Sequence, residues 1–183
     1  MDLEGRVRKV FDQAVSLEGR IYRSATPKYA NSSDLLTGEG SKKFGGRWNP
    51  VGLAAVYGSF TPQTALEETL AHSRYYNLPV HAAMPRTFVA IEFSVQKVLD
   101  LTNGRIRQAL AVSEKRLLGC DWRREMARGK TAISQQVGAA AAAAGFEALL
   151  VRSAAADTGE NLVIFVEILA HRSRPSVLAA DKL

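Results

Sequence analysis

The chain of 183 residues has 46% hydrophobic and 23% charged residues, which suits one folded domain and excludes a disordered, collagen-like or disulfide-stapled mini-protein. Lysine and arginine outnumber the acids 24 to 18, a formal charge of +6 that favours an anionic partner. One cysteine, Cys120, allows no internal disulfide, and the scattered His72, His81 and His171 offer no zinc ligand set, so no metal is expected. The N-terminus lacks a secretory core, and the longest uncharged stretch, Thr131 to Phe146, is too short and too polar to span a bilayer. The expectation is a cytoplasmic protein.

In chain order, Leu3, Val7, Val10, Phe11, Ala14 and Val15 recur at three- and four-residue steps and predict an amphipathic helix over residues 2–17, ended by Gly19. Arg20 to Ala25 reads as a short strand. The Gly/Ser-rich stretch from Asn31 to Gly46 carries no periodicity and reads as a long loop, a common place for function. Leu53 to Tyr57 suits a buried strand, and Thr61-Pro62 supplies an N-cap and a first-turn proline for a helix reaching about Tyr75. Thr87 to Phe93 alternates as a strand, with a second short one at Val98 to Leu101. Arg105 to Arg128 looks helical, and Arg105 to Lys130 carries eight basic residues against three acids; a solvated helical face is the plain reading. Alanine-rich Thr131 to Ala144 predicts a helix capped by Gly145, and strands at Glu147 to Val151 and Asn161 to Leu169 flank a turn at Asp157-Thr158-Gly159. Strands and helices interspersed without regular βαβ spacing give an α+β class.

Gly45-Gly46-Arg47-Trp48-Asn49-Pro50 is the densest local signal for chemistry: glycines for close backbone approach, then a guanidinium fork, an aromatic plate and an amide, a set suited to an anionic nucleotide. A tight turn with a surface cation–π contact would show the same residues. Arg23 is a second candidate phosphate clamp. Glu67 and Glu68 are adjacent on the helix after Thr61, and helical phase does not choose between them. Ser153 stands at a strand end where a hydroxyl can face a cleft. No Gly-x-Gly-x-x-Gly or P-loop motif is present.

Together, Tyr22-Arg23-Ser24, the Gly-Gly-Arg-Trp-Asn box with Gly52 and Tyr57, Ala65-Leu66-Glu67-Glu68 with His72, and Val151-Arg152-Ser153-Ala154 followed by Asn161-Leu162-Val163-Ile164-Phe165 resemble the RES domain family. The resemblance runs from about Ile21 to Leu169, and the family's spacing after its box tyrosine selects Glu68 over Glu67. It implies one domain over residues 1–183 with a small mixed α+β, ADP-ribosyltransferase-like fold. The implied activity is that of a toxin degrading NAD by hydrolysis or phosphorolysis, or transferring ADP-ribose to a protein. It also implies a helix-turn-helix antitoxin of the Xre type as partner, is compatible with a homodimer within that complex, and needs no permanent cofactor. Glu68, Arg23 and Ser153 would be catalytic; Arg47, Tyr57, Tyr22, Trp48 and Asn49 would bind NAD. The basic segment would then help an acidic antitoxin dock. The rival expectation is a non-catalytic nucleic-acid-binding module using the basic segment and aromatic stacking platforms.

Overall fold

The computed structural model describes residues 2–170 and 174–178. In chain order its elements are α1 (Leu3–Lys9), β1 (Val15–Ala25), α2 (Ser32–Leu36), α3 (Glu39–Phe44), β2 (Ala55–Ser59), α4 (Pro62–Tyr75), β3 (Thr87–Asp100), α5 (Gly104–Leu110), α6 (Glu114–Gly119), α7 (Trp122–Ala127), α8 (Ile133–Ala144), β4 (Ala148–Arg152), β5 (Glu160–Phe165) and β6 (Ser176–Val177). The class is α+β. Among the described residues, no helix is long and apolar enough to cross a membrane.

The six strands form one sheet that returns on itself. β1 runs antiparallel to β3, which pairs in parallel with β4 from Val98↔Ala148; β4 and β5 are antiparallel, as are β5 and β2. β2 then meets β1 at a single pair, Tyr22↔Ser59, while β6 lies outside the ring on β3. Alternation along the strands separates two apolar faces. Ile21, Val56, Ile91, Phe93, Val95, Val98, Ala148, Leu162 and Ile164 fill the interior of the ring. Ala55, Leu149, Val151, Val163 and Phe165 face outward and pack with Val137, Ala140 and Ala141 of α8 and Val7 of α1. A small cluster of Ala25, Ala30, Leu35 and Val89 closes the ring beside α2.

Several elements depart from the sequence expectation. The first helix stops at Lys9, and a short 3-10 turn at Phe11–Gln13 leads into β1, so the stretch assigned to a helix over residues 2–17 is α-helical only over residues 3–9 and already strand from Val15. The long ladder between β1 and β3 outweighs a local helical pattern, since a short helix draws most of its stability from packing. Gly19, expected as the helix stop, lies inside that strand. The expected loop at Asn31 to Gly46 contains α2 and α3, helices too short to show periodicity. The Asn31 carboxamide oxygen accepts from the Asp34 amide, and Gly38 turns the chain between the helices with φ of 67°.

The two expected strands at 87–93 and 98–101 are one strand, β3. Its polar stretch continues because the buried carboxylate of Glu147 accepts from the amides of Gln96 at 2.6 Å and Lys97 at 3.4 Å. The last expected strand ends at Phe165 rather than Leu169, where the Ile168 amide folds back onto the Phe165 carbonyl. The helix α4, with Thr61 as its N-cap and Pro62 in its first turn, matches its expected span. The helix α8, with Gly145 in the left-handed conformation as its C-cap, falls within the expected 131–144.

Candidate active site

The site forms where the ring is weakest. Because β1 and β2 share one pair, they part on either side of it, and side chains from both faces of β1 reach the gap. Tyr22 and Ser24 on one face and Arg23 on the other all line a cleft of about 640 Å³, within the range usual for small-molecule sites. Helix α4 contributes Ala65, Glu68, Thr69 and His72; the segment from Gly45 to Trp48 and Tyr57 form another wall. Among the described lining residues Glu68 is the sole acid, set against Arg23, Arg47, Arg86, Arg123 and Arg152.

Glu68 is held from the sheet. Its Oε1 accepts from the Ser153 hydroxyl at 2.7 Å and from the Asn161 amide nitrogen at 2.7 Å. The Ser59 hydroxyl donates in turn to the Asn161 carboxamide oxygen at 2.6 Å, which orients that amide. Strand alternation produces this alignment: Ser59↔Asn161 and Val151↔Asn161 are register pairs, and Ser153 follows Val151 by two residues on the same face. The neighbouring Glu67 instead accepts from Gln63 at 3.2 Å and lies 3.7 Å from Arg74. The structure thus brings Glu68, not Glu67, into the cleft.

Of the two parts the resemblance leaves to Ser153, hydrogen-bonding the nicotinamide side or positioning the glutamate, the geometry favours the second. Its Oγ accepts from the amides of Ala155 and Ala156, both at 3.0 Å, while donating to Glu68. It is buried and does not line the cleft, so it positions Glu68 rather than touching a ligand. Its backbone turn closes through the Ser153 amide to the Gly159 carbonyl at 2.7 Å.

The Gly-Gly-Arg-Trp-Asn box is built as a scaffold around Tyr57. The Tyr57 hydroxyl donates to the Asn49 carboxamide oxygen at 2.7 Å and accepts from the Trp48 amide at 3.0 Å. Burial pushes this phenol far above its ordinary value of 10. Asn49 is fully buried and its amide nitrogen donates to the carbonyls of Ser41, Pro50 and Leu53, so it holds the loop and does not reach the cleft as expected of an NAD contact. Trp48 is likewise buried, its side chain in the core cluster that joins the sheet to α8, while the residue also borders the cleft. Gly46 is required by approach: a Cβ there would lie 2.5 Å from the Tyr57 hydroxyl and 2.6 Å from the Asn49 oxygen. Tyr57 and Tyr22 remain as half-buried aromatic walls.

The arginines divide by what already occupies them. One guanidinium nitrogen of Arg47 caps the end of α6, donating to the carbonyls of Leu117, Leu118 and Cys120 at 3.0–3.4 Å. Arg23 donates to the Leu35 carbonyl at 2.6 Å, and burial lowers its basicity from the ordinary arginine value. Arg152 pairs with Glu160 at 3.1 Å. Arg123 stacks over the rings of Trp122 and Tyr75, with centroids at 4.3 and 4.8 Å, and lies 3.1 Å from His72 Nδ1. His72 is kept below its ordinary value by desolvation, then by Arg123 and Arg86. Sequence reasoning missed Arg86, Arg123 and the Asn161 amide as site groups. Arg86 and Arg123 carry no local motif; Asn161 opens one of the segments of the family resemblance, but only the register between β2, β4 and β5 shows that it lies beside Ser59 and near Ser153.

Comparison with known proteins agrees with this geometry. The RES domain family model matches residues 20–179. NAD(+) phosphorylase MbcT, from both Mycobacterium bovis and Mycobacterium tuberculosis, is 30% identical over 92 residues, 49% of this chain and 50% of the relative. The chain thus spans about half the length of those curated relatives in the match. The Prs ADP-ribosylating toxin of Sphingobium is 40% identical over 60 residues, 33% of this chain and 37% of its own. A chain from the crystal structure of the M. tuberculosis MbcT–MbcA toxin–antitoxin complex shares the fold with a TM-score of 0.70 at 22% identity, covering 98% of this chain and 96% of that one.

Proposed function

The chain belongs to the RES domain family, and from that premise we propose that it is an enzyme consuming NAD by breaking the nicotinamide–ribose bond. The observation that carries this reading is Glu68, the lone acid lining an arginine-rich cleft, held at one oxygen by Ser153 and Asn161. When that bond breaks, its electron pair leaves with the pyridinium nitrogen, and nicotinamide departs neutral. The leaving group needs no proton, so one carboxylate suffices where most glycosidases use two. Positive charge gathers on the ribose instead. A carboxylate fixed beside it stabilises that charge and orients the 2′-hydroxyl, an interaction strongest in the transition state. Arg23 and Arg47, both lining the cleft, present guanidinium groups to the pyrophosphate, and Tyr22 and Tyr57 present ring faces to the nicotinamide.

The acceptor decides the product. Inorganic phosphate attacking the ribose carbon gives ADP-ribose 1″-phosphate, whereas water gives ADP-ribose and a proton. The name of the mycobacterial relatives, an NAD(+) phosphorylase, favours phosphate. A second reading, transfer of ADP-ribose to a protein, is favoured by the Sphingobium relative, an ADP-ribosylating toxin. NAD is substrate in each case, not a resident cofactor. The partner that fits a toxin of this kind is an antitoxin of the Xre helix-turn-helix type, supported by the fold shared with a toxin–antitoxin complex.

The test is NAD concentration over time for wild type and Glu68→Ala, with and without phosphate, with products resolved by mass. Loss of NAD that Glu68→Ala abolishes is expected, faster with phosphate. Stable NAD under both conditions, with no mass gain on added proteins, overturns the reading.

A further inference from the structure

Resting on the NAD-consuming reading, we propose that Arg86 and the Ser24 hydroxyl form a binding site for a phosphate-class oxyanion on the β1–β3 side of the cleft. Ser24 Oγ and Arg86 Nε are the buried side-chain polar atoms without a hydrogen-bond partner among the described residues, and both belong to residues that line the cleft. Buried polar groups in folded proteins are nearly always partnered, and an exception on a cleft wall points to a ligand that supplies the partner. Two such atoms from different segments share this wall.

Strand register places both at one end of the β1–β3 ladder: Ser24 pairs with Phe88, the ladder closes at Ala25↔Thr87, and Arg86 immediately precedes Thr87. Tyr22 lies on the side of β1 that Ser24 occupies, two residues from it. The other cleft arginines are engaged as described: by carbonyls at Arg23 and Arg47, by Glu160 at Arg152, and by aromatic rings and His72 at Arg123. Among the described residues, Arg86 alone of these arginines makes no hydrogen bond or ion pair, and none of the described carboxylates lies within ion-pair distance of it. Its charge is felt across the cleft, where it helps keep His72 neutral. A planar guanidinium with unused donors and a free hydroxyl on the same cleft wall match the oxygens of a phosphoryl group.

That chemistry has two sources here: the pyrophosphate of NAD, or the free phosphate that attacks the ribose carbon. Calorimetric titration of ADP-ribose and of inorganic phosphate into wild type, R86Q, R86K and the exposed-surface control R105Q separates them. R86Q is expected to weaken one ligand by about 10- to 100-fold, the worth of a charge-assisted hydrogen bond. R86K should recover part of that loss, and R105Q, with the same change in net charge, should stay within about twofold of wild type by the weakness of distant surface charges. Loss confined to ADP-ribose identifies the pyrophosphate; loss confined to phosphate identifies the free acceptor. If R86Q binds both ligands as wild type does, or loses only thermal stability, the proposal is overturned.

Should neither Arg86 variant fold, Ser24→Ala decides. It deletes one unpartnered hydroxyl and should weaken the same ligand about threefold or more, in line with a neutral hydrogen bond; unchanged binding of both ligands overturns the proposal. Neither titration requires turnover. Binding through Arg86 with NAD left intact would sink the enzymatic reading and keep the site, while turnover with binding indifferent to Arg86 and Ser24 would do the reverse.

Discussion

Ser153 and Asn161 offer the sharpest test of how the cleft works, because both act through one atom, Oε1 of Glu68. Each donates a hydrogen bond of 2.7 Å to a carboxylate, the charge-assisted kind that contributes about 1.5–3 kcal/mol. If that orientation is needed only as charge develops on the ribose, Ser153→Ala and Asn161→Ala should each lower kcat about 10- to 100-fold, at about 1.4 kcal/mol per decade, and leave KM for NAD nearly unchanged. Ser153→Ala also frees the Ala155 and Ala156 amides, costing about 1 kcal/mol of stability per buried amide left unpaired. Ser153→Thr keeps the hydroxyl and should restore most of the rate, which a merely structural loss would not explain. The double variant should fall less than the product of the singles, since both report on one carboxylate oxygen. The assay is initial-rate NAD consumption at saturating phosphate, with folding checked by thermal melts. A folded Ser153→Ala enzyme with wild-type kcat, or one changed only in KM, would refute the positioning role.

Gly46→Ala should destabilise by about 1–3 kcal/mol, because its methyl would press on the Tyr57 and Asn49 oxygens, and a melting temperature lowered by several degrees would show it. Tyr57→Phe deletes the hydroxyl joining Asn49 to the Trp48 amide and should cost about 1–3 kcal/mol by chemical denaturation. The Tyr57 phenol is pushed above 10 by burial, so the unfolded chain ionises it first; stability it contributes is complete below pH 10 and falls as pH rises beyond that, and Tyr57→Phe should flatten this alkaline limb. His72 is displaced the other way. Held below 6.5 by desolvation, Arg123 and Arg86, it contributes stability above pH 6.5 that fades as pH falls, so His72→Gln should flatten melting temperature against pH over that acidic limb.

Residue patterns made the site's membership partly legible and its architecture much less so. Arg23, Tyr22, Arg47, Tyr57 and Glu68 do line one cleft, as the family resemblance implied. The choice of Glu68 over Glu67 lay beyond helical phase alone; the family spacing supplied it, and the Ser153 and Asn161 bonds now give it a physical basis. The inward turn of Trp48 and Asn49 was not legible, because a Gly-Arg-Trp-Asn string has the same residues whether its side chains turn outward or inward. Here the Asn49 amide satisfies three carbonyls of its own loop, a demand invisible in composition. The first helix was overextended because residues 10–15 satisfy a helical spacing while Val15 and Leu17 satisfy a strand partner eighty residues away, and pairing of that range leaves no local trace. The basic segment at 105–130 reads as uniform charge, yet Arg107 pairs with Glu114 at 2.8 Å and Arg123 is stacked on rings, so part of that charge is spent within the molecule.

The two bonds that fix Glu68 also set the point in synthesis at which the cleft can be completed. Glu68 receives its two bonds from residues 85 and 93 positions further along the chain. A ribosome releases the polypeptide N-terminus first, so the arginines of β1 and the carboxylate of α4 emerge long before the strand that carries Asn161. Until β4 and β5 join β2 in the sheet, Glu68 lacks both donors and has no fixed direction. Chains that end before Ser153 therefore carry the arginines of β1 and the carboxylate of α4 but neither of the donors that orient Glu68.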